Sequence, residues 1–282
     1  MKFIRYQKEN IIRPGILAGS LVKDLSPIIN DISPDTLNME LIDLAKQRIN
    51  KLPTAGKISD ISLKMPISES KKLICIGFNS KAHVENLGLK LPKEPFFFLK
   101  ASSSLNGPYD NIIYPKIGKK VDWEAELAVI IGKKGKYIKK ENALKHIFGY
   151  CMLNEVSERY WQFERNEKHL QLAIGKSFDS FAPIGPYIVT KDELTDPYNL
   201  SVVLKVNNKI KQDFNTSDYI YGVEEAVSYC SQFFTLYPGD IISMGSGPGT
   251  GIELNSFLQI GDKIHFKIDN LGIQENTVIE EI

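Results

Sequence analysis

The chain reads as an α+β protein that is mostly β. Short apolar or alternating runs recur around residues 127–131, 186–190, 200–206, 241–244 and 264–268, which is the pattern of buried or half-buried strands. Helical periodicity is confined to segments between them, at 141–148, 157–165 and 223–234. Strand and helix do not alternate steadily, as they would in a doubly wound parallel sheet, so mostly antiparallel pairing with a few helices is expected.

Residues 1–70 form a candidate small α+β domain. They hold strand-like pieces at 3–6 and 15–18, followed by a helix that Ser33 is placed to cap, with Pro34 at its first position and Leu37, Leu41, Leu44 and Ala45 on one face. The stretch 50–66 is rich in Lys, Ser, Pro and Gly and reads as a linker. Residues 71–282 form the larger domain, opening on a buried strand at 72–77. Gly149 stops the helix expected at 141–148, and Ser157 is placed to cap the helix after it.

Composition excludes several classes. At 282 residues, 43% apolar and 24% charged, the chain has enough apolar material for a full core and is neither disordered nor fibrous. With 35 basic against 34 acidic residues and no basic stripe with interleaved aromatics, nucleic acid is not an expected partner. Cys75, Cys151 and Cys230 are too scattered for a disulfide framework or a thiolate metal site and read as reduced core residues. There is no apolar h-region at the start and no run of about 18 apolar residues, so a cytoplasmic protein with no membrane segment is expected.

Two glycine-rich signals fail as nucleotide sites. Gly175-Lys176-Ser177 resembles the end of a phosphate loop, but the required earlier glycine is Leu170. Gly245-Ser246-Gly247-Pro248-Gly249-Thr250-Gly251 never yields the dinucleotide-binding spacing and reads as a permissive turn after a strand.

The chemistry concentrates in carboxylates. Asp122-Trp123-Glu124-Ala125-Glu126-Leu127 heads an apolar strand, and strand alternation puts Glu124 and Glu126 on the face of Ala128 and Ile130. Two like charges on a face that continues into core need a cation or a proton between them. A third acid, Glu155, follows in Asn154-Glu155-Val156-Ser157-Glu158-Arg159, with Arg159 and Gln162 three positions apart beside it. Three carboxylates suit a hard cation, Mg²⁺ or Mn²⁺, that keeps positions open for water and substrate.

These blocks together resemble the fumarylacetoacetate hydrolase family. The similarity rests on Cys75-Ile76-Gly77-Phe78-Asn79 with His83, on the two acidic segments, on Gly175-Lys176-Ser177-Phe178-Asp179, on Pro183-Ile184-Gly185-Pro186, on Gln212 with Asn215-Thr216-Ser217-Asp218, and on Pro238-Gly239-Asp240-Ile241-Ile242. It runs from about residue 72 to the C-terminus, and the first 70 residues resemble more loosely the subgroup of ureidoglycolate lyases and 2,4-diketo-3-deoxy-L-fuconate hydrolases. The resemblance implies a mixed β-sandwich roll, a homodimer, and one Mg²⁺ or Mn²⁺ per subunit on Glu124, Glu126 and Glu155. It further implies that Arg159, Gln162, Gln212 and Ser246 bind a small oxo-acid substrate, that Lys176 supports an enolate, and that His83 is the base.

Departures from the family pattern bear on the reaction. The glutamate that commonly follows the histidine by three positions is Asn86 here, which leaves Glu85 as the acid nearest in sequence to partner His83. Glu155 stands where aspartate is usual, Tyr160 where an acid is common, and Met244 and Gly247 replace a threonine and a proline of the glycine turn. Metal-dependent hydrolysis of a C–C bond in a 2,4-dioxo acid is the leading expectation. A lyase, decarboxylase or isomerase using the same enolate is the alternative, and an oxo-acid-binding member without turnover is a third.

Overall fold

The computed structural model describes residues 1–166 and 168–282. A long sheet runs through the molecule in the order Thr54–Lys57, Leu21–Asp24, Ile11–Ala18, Lys2–Lys8, Ala182–Thr190, Ile147–Asn154, Ala125–Ile131, Ile241–Ser243, Leu73–Gly77, Phe96–Lys100. Neighbours are antiparallel except Ile241–Ser243 with Leu73–Gly77. A second sheet, Lys209–Asn215, Ser201–Val206, Lys263–Ile268, Gly272–Glu280 and Ile112–Tyr114, packs against one face of the first.

The strand Ala125–Ile131 lies in the middle of this stack. Its side chains at Ala125, Leu127, Val129 and Ile131 join the core shared with Val202, Leu204, Phe266 and the helix Val223–Phe233. Ala128 and Ile130 instead enter a second core with Leu41, Ile42 and Ala45 of the helix Met39–Arg48. Burial on both faces is why the sequence reads as an unbroken apolar run. Glu126 shares the even-numbered face and points its charge into this interior at the end of the strand.

Residues 1–70 share a sheet with the rest, because Lys2 and Phe3 pair with Val189 and Ile188. The Phe3 ring meets Phe148 edge-on at 5.1 Å between centroids. The expected linker at 50–66 carries two short strands, Thr54–Lys57 and Ser62–Lys64. Lys, Ser and Gly are tolerated there because these are edge strands with few groups to bury.

Three helix expectations shift. The first helix starts at Met39, because Asn38 accepts from the Leu41 N–H at 2.9 Å. Ser33 heads a turn instead, closed by the Thr36 hydroxyl on the Asp31 carbonyl at 2.6 Å. The helix expected at 141–148 forms as a 3₁₀ helix, Lys140–His146, and is shorter than expected because Ile147 and Phe148 already belong to the strand Ile147–Asn154, which is paired on both sides. The segment 157–165 begins as a bridge of Ser157–Glu158 to Val121–Asp122 and winds into a π-turn at Tyr160–Glu164. Ser157 caps nothing, since its hydroxyl donates to Glu124 Oε2 and the Glu155 carbonyl, each at 3.1 Å.

Phe148 is fully buried between the N-terminal strands and the central sheet. Phe148→Ala is expected to lose about 3–5 kcal/mol of stability, the range for an aromatic deleted from a core that cannot collapse. Urea unfolding measures this, and a loss below about 1 kcal/mol would show that the two parts do not depend on this contact.

Candidate metal centre and acid–base pair

The centre forms at one end of the strand Ala125–Ile131, where two neighbouring strands and the glycine turn meet. The Glu124 N–H donates to Asn154 Oδ1 at 3.0 Å, and the Glu155 N–H donates to the Glu124 carbonyl at 2.8 Å. These two bonds hold the two acids side by side across the strand pair. Glu126 is held from the other neighbour, by the Ser243 hydroxyl and by the Gly245 N–H at 3.1 Å. Gly245 has φ of 92°, and a Cβ there would lie 2.7 Å from the Ile76 carbonyl oxygen, so the turn that brings this N–H to Glu126 requires glycine. One oxygen from each of Glu124, Glu126 and Glu155 lies within 4.8 Å of the others, and all three residues are buried.

Three cations sit among these acids. Arg159 donates through Nε to Asp122 at 2.8 Å, through Nη2 to Glu124 Oε1 at 2.8 Å and through Nη1 to Gln162 Oε1 at 2.9 Å. Lys176 Nζ bridges Glu124 Oε2 and Glu155 Oε2, the latter at 2.5 Å. A lysine between glycine and serine is ordinarily solvated, yet this one is 3% exposed. Burial opposes its charge, but Glu124 and Glu155 outweigh that and raise its pKa. Lys100, which the sequence reading missed, uses three donors on Glu155 Oε1 at 2.6 Å and on the carbonyls of Val156 and Phe181 at 2.9 and 2.7 Å. With those bonds made it anchors Glu155 and has no N–H to spare. Nothing in the run Phe96–Lys100 marks it, since a lysine closing an apolar strand normally reaches solvent.

Four carboxylates, Asp122, Glu124, Glu126 and Glu155, therefore face three cations, one negative charge in excess. The excess falls on Glu126, which has no cation partner among the described residues. Burial, then the charges of Glu155 and Glu124, push its pKa well above the usual carboxylate range. Glu124 shows the opposite result: burial raises it, but Arg159 and Lys176 hold it well below. A buried all-oxygen donor set with one unneutralised acid fits a hard divalent cation.

The carboxylates open into a pocket of about 670 Å³ counting its mouth, bounded also by His83, Gln162, Ser246 and apolar side chains including Phe78, Phe98, Phe163 and Leu172. His83 lies on the short helix Lys81–Asn86, capped by the Ser80 hydroxyl on the His83 N–H at 3.1 Å. Its Nδ1 is hydrogen-bonded to Glu253 Oε1. Glu85 does not partner it: Glu85 is exposed, because a residue two positions along a helix points away. Asn86, three positions along, donates to Glu253 Oε2 at 3.1 Å. No sequence spacing reveals Glu253, which stands 170 positions from His83.

Gln212 is not placed to bind substrate. It is fully buried, accepts from the Ala125 N–H at 2.9 Å, and donates to Ser246 Oγ and to the Gly247 carbonyl, both at 2.9 Å. It holds Ser246, which does reach the pocket. Arg159 and Gln162 line it as well, with Arg159 committed to Asp122 and Glu124.

Fold, acids, lysine and histidine together place the chain in the fumarylacetoacetate hydrolase family, whose C-terminal region it matches over residues 72–279. Relatives show what that family contains. A Bos taurus protein named oxaloacetate tautomerase FAHD2A, mitochondrial, is 44% identical over 223 residues, covering 78% of this chain and 70% of its own. A maleylpyruvate hydrolase from Sphingobium sp. SYK-6, solved with manganese(II) and pyruvate, superposes with TM-score 0.83 at 26% identity over the whole of both chains. A 5-carboxymethyl-2-hydroxymuconate delta-isomerase from Mycobacterium smegmatis does so with TM-score 0.79 at 27% identity, again over both whole chains. The relatives are thus enzymes that hydrolyse, isomerise or tautomerise. Among the described residues no helix is long and apolar enough to cross a membrane.

Because burial and the neighbouring acids Glu155 and Glu124 raise the Glu126 pKa well above the usual carboxylate range, proton release is expected to accompany metal binding there. Mn²⁺ affinity is therefore expected to rise as pH rises toward the raised Glu126 pKa and to level off above it. Calorimetry in buffers of different ionisation enthalpy reads the released proton. Glu126→Gln should weaken Mn²⁺ binding and abolish the proton release, and unchanged affinity in that variant would remove Glu126 from the centre.

Proposed function

We propose that the protein is a Mg²⁺- or Mn²⁺-dependent enzyme that moves a proton at C3 of a small 2-oxo acid, with keto–enol interconversion of an oxaloacetate-type acid as its reaction. The observation that carries this reading is His83 with Nδ1 occupied by a carboxylate, which leaves Nε2 as the base on the wall of the pocket that holds the three acids. The 44% identity to a protein named as an oxaloacetate tautomerase supports the choice of reaction.

Glu124, Glu126 and Glu155 would hold the ion, which when bound would polarise the carboxylate and keto oxygens of the substrate. With a divalent ion bound, the net charge of the cluster would change from one negative to one positive, which would favour an anionic substrate. His83 Nε2 takes the proton from C3 and delivers it to the C2 oxygen to give the enol, and the reverse transfer restores the keto acid. Lys176, freed from one of its two acids, places its ammonium beside the oxygen on which negative charge develops. Arg159 stays on Asp122 and Glu124 and keeps the Glu124 carboxylate oriented. Gln162 and Ser246 offer polar groups to the substrate, while Phe78, Phe98, Phe163 and Leu172 exclude water.

A second reading is hydrolysis of the C–C bond of a 2,4-dioxo acid, in which His83 would deprotonate water. The apolar walls favour it, since Phe163 and Leu172 suit an uncharged acyl tail.

Enol-oxaloacetate decay followed by ultraviolet absorbance with Mn²⁺, run beside pyruvate release from acylpyruvates of increasing tail length, separates the two. Accelerated enol decay without pyruvate release supports tautomerisation, and pyruvate release alone supports the second reading. Absence of both, with Mn²⁺ bound, would overturn the assignment as an enzyme of these acids. His83→Ala should lower the rate about 10²–10⁴-fold, the usual contribution of a general base. Lys176→Met should lower it on the order of 10²–10³-fold, as for other preorganised charge-stabilising groups.

A further inference from the structure

We propose that the end of the molecule opposite the metal centre is a docking surface for a bilayer carrying anionic phospholipid. The strand Ala125–Ile131 has the metal-centre acids at its start and runs at its other end into Gly132-Lys133-Lys134-Gly135-Lys136-Tyr137-Ile138-Lys139-Lys140, five lysines without an acid. Lys71-Lys72 lies at the same end, because Ile130 pairs with Ile241 and Ile241 with Leu73. Gly135 and Leu236 exchange N–H···O bonds at 3.0 and 2.8 Å, which brings Tyr237 between the two basic stretches. The ammonium groups of Lys71, Lys72 and Lys134 lie 5.6, 4.9 and 5.2 Å from the centre of its ring. Tyr137 is 71% exposed, with Lys136 Nζ 4.8 Å from its ring centre. Three separate stretches build this patch, so no stripe marks it in the sequence.

Two of the seven lysines are neutralised, Lys72 by Asp240 at 2.7 Å and Lys140 by Glu225 at 3.3 Å. Lys71, Lys133, Lys134, Lys136 and Lys139 make no ion pair among the described residues, in a chain whose net charge is only +1. Gathered charges of one sign repel, and an anionic surface offsets the repulsion. The loop is held ready for it, since the Tyr137 N–H donates to the Ser231 carbonyl at 2.9 Å and the Gly132 N–H to the His146 carbonyl at 2.8 Å. Exposed rings border the lysines: Tyr137, Tyr237, and Phe233 at the end of the helix Val223–Phe233, where Lys136 Nζ donates to the Gln232 carbonyl at 3.1 Å. Aromatic bodies among ammonium groups suit a bilayer surface, with rings at headgroup depth and lysines on phosphates. A single-stranded nucleic acid needs bare ring faces for its bases to stack on, and here ammonium groups crowd Tyr137 and Tyr237. Gly132 lies six residues beyond Glu126 along the strand, about 20 Å, so docking at this end leaves the pocket free.

Sedimentation of the full chain with phosphatidylcholine vesicles, with and without phosphatidylglycerol, tests the proposal independently of any reaction. Binding is expected only to vesicles containing phosphatidylglycerol, in dilute salt, and should be lost in concentrated salt. A lysine near such a surface contributes about five-fold, so Lys134→Gln with Lys139→Gln should weaken binding roughly 25-fold while Mn²⁺ affinity and thermal unfolding stay as in the wild type. Lys116→Gln with Lys119→Gln removes the same charge from exposed sites at the metal end, just before Val121–Asp122, and should change binding by less than about two-fold. Tyr137→Ser should weaken binding several-fold without any change in charge. No binding to phosphatidylglycerol vesicles, equal losses in the two double variants, or an unaffected Tyr137→Ser would each overturn the proposal. So would an oligothymidylate that binds where the vesicles do not, which would give the patch to nucleic acid. Displacement of the vesicles by inorganic phosphate too dilute to screen charge would mark a site for free anions and overturn docking to a bilayer.

Discussion

An excess of buried negative charge governs the site. Asp122, Glu124, Glu126 and Glu155 are each at most 6% exposed, at the end of a strand whose remaining length is solid core. Lone buried carboxylates are strongly unfavourable, so every other polar feature nearby answers to them. Arg159, Lys100 and Lys176 are drawn under the surface, Ser157 gives up a capping role, and the Gly245 N–H turns inward. One charge remains unmet, and it lies where three carboxylate oxygens converge on a pocket.

The two buried lysines divide the work. Lys100 is saturated by a carboxylate and two carbonyls, lies outside the pocket lining and fixes Glu155. Lys176 contacts only carboxylates among its hydrogen-bond partners and faces the pocket, so it is the cation able to exchange one acid for the charge that develops on a substrate. This asymmetry, with a histidine hydrogen-bonded to its own carboxylate, is what the proposed function draws on.

Much of the site was legible in the sequence because strand geometry is periodic. Alternation places Glu124 and Glu126 on one face, and both line one pocket with Glu155, Arg159, Gln162, Lys176, His83 and Ser246. The strands were legible for the same reason, and the helix expected at 223–234 is Val223–Phe233. Local signals failed where tertiary contacts claimed the same atoms. Ser157 has the chemistry of a cap but sits within reach of Glu124, and Arg159, just before the π-turn at Tyr160–Glu164, is held by Asp122. Gln212 is polar and central, yet its amide is spent on backbone and Ser246. Glu253 was invisible because its partner lies in a distant part of the chain, and adjacency in sequence wrongly favoured Glu85.

The position of the divalent ion decides what the site can do. Crystals grown with Mn²⁺ and measured at the manganese absorption edge locate it without reference to any reaction. The account predicts one strong anomalous peak per chain, coordinated by Glu124, Glu126 and Glu155, with Lys176 moved off at least one of its two acids and Lys100 unmoved. A peak at any other set of residues, or none at a Mn²⁺ concentration that supports activity, would contradict it.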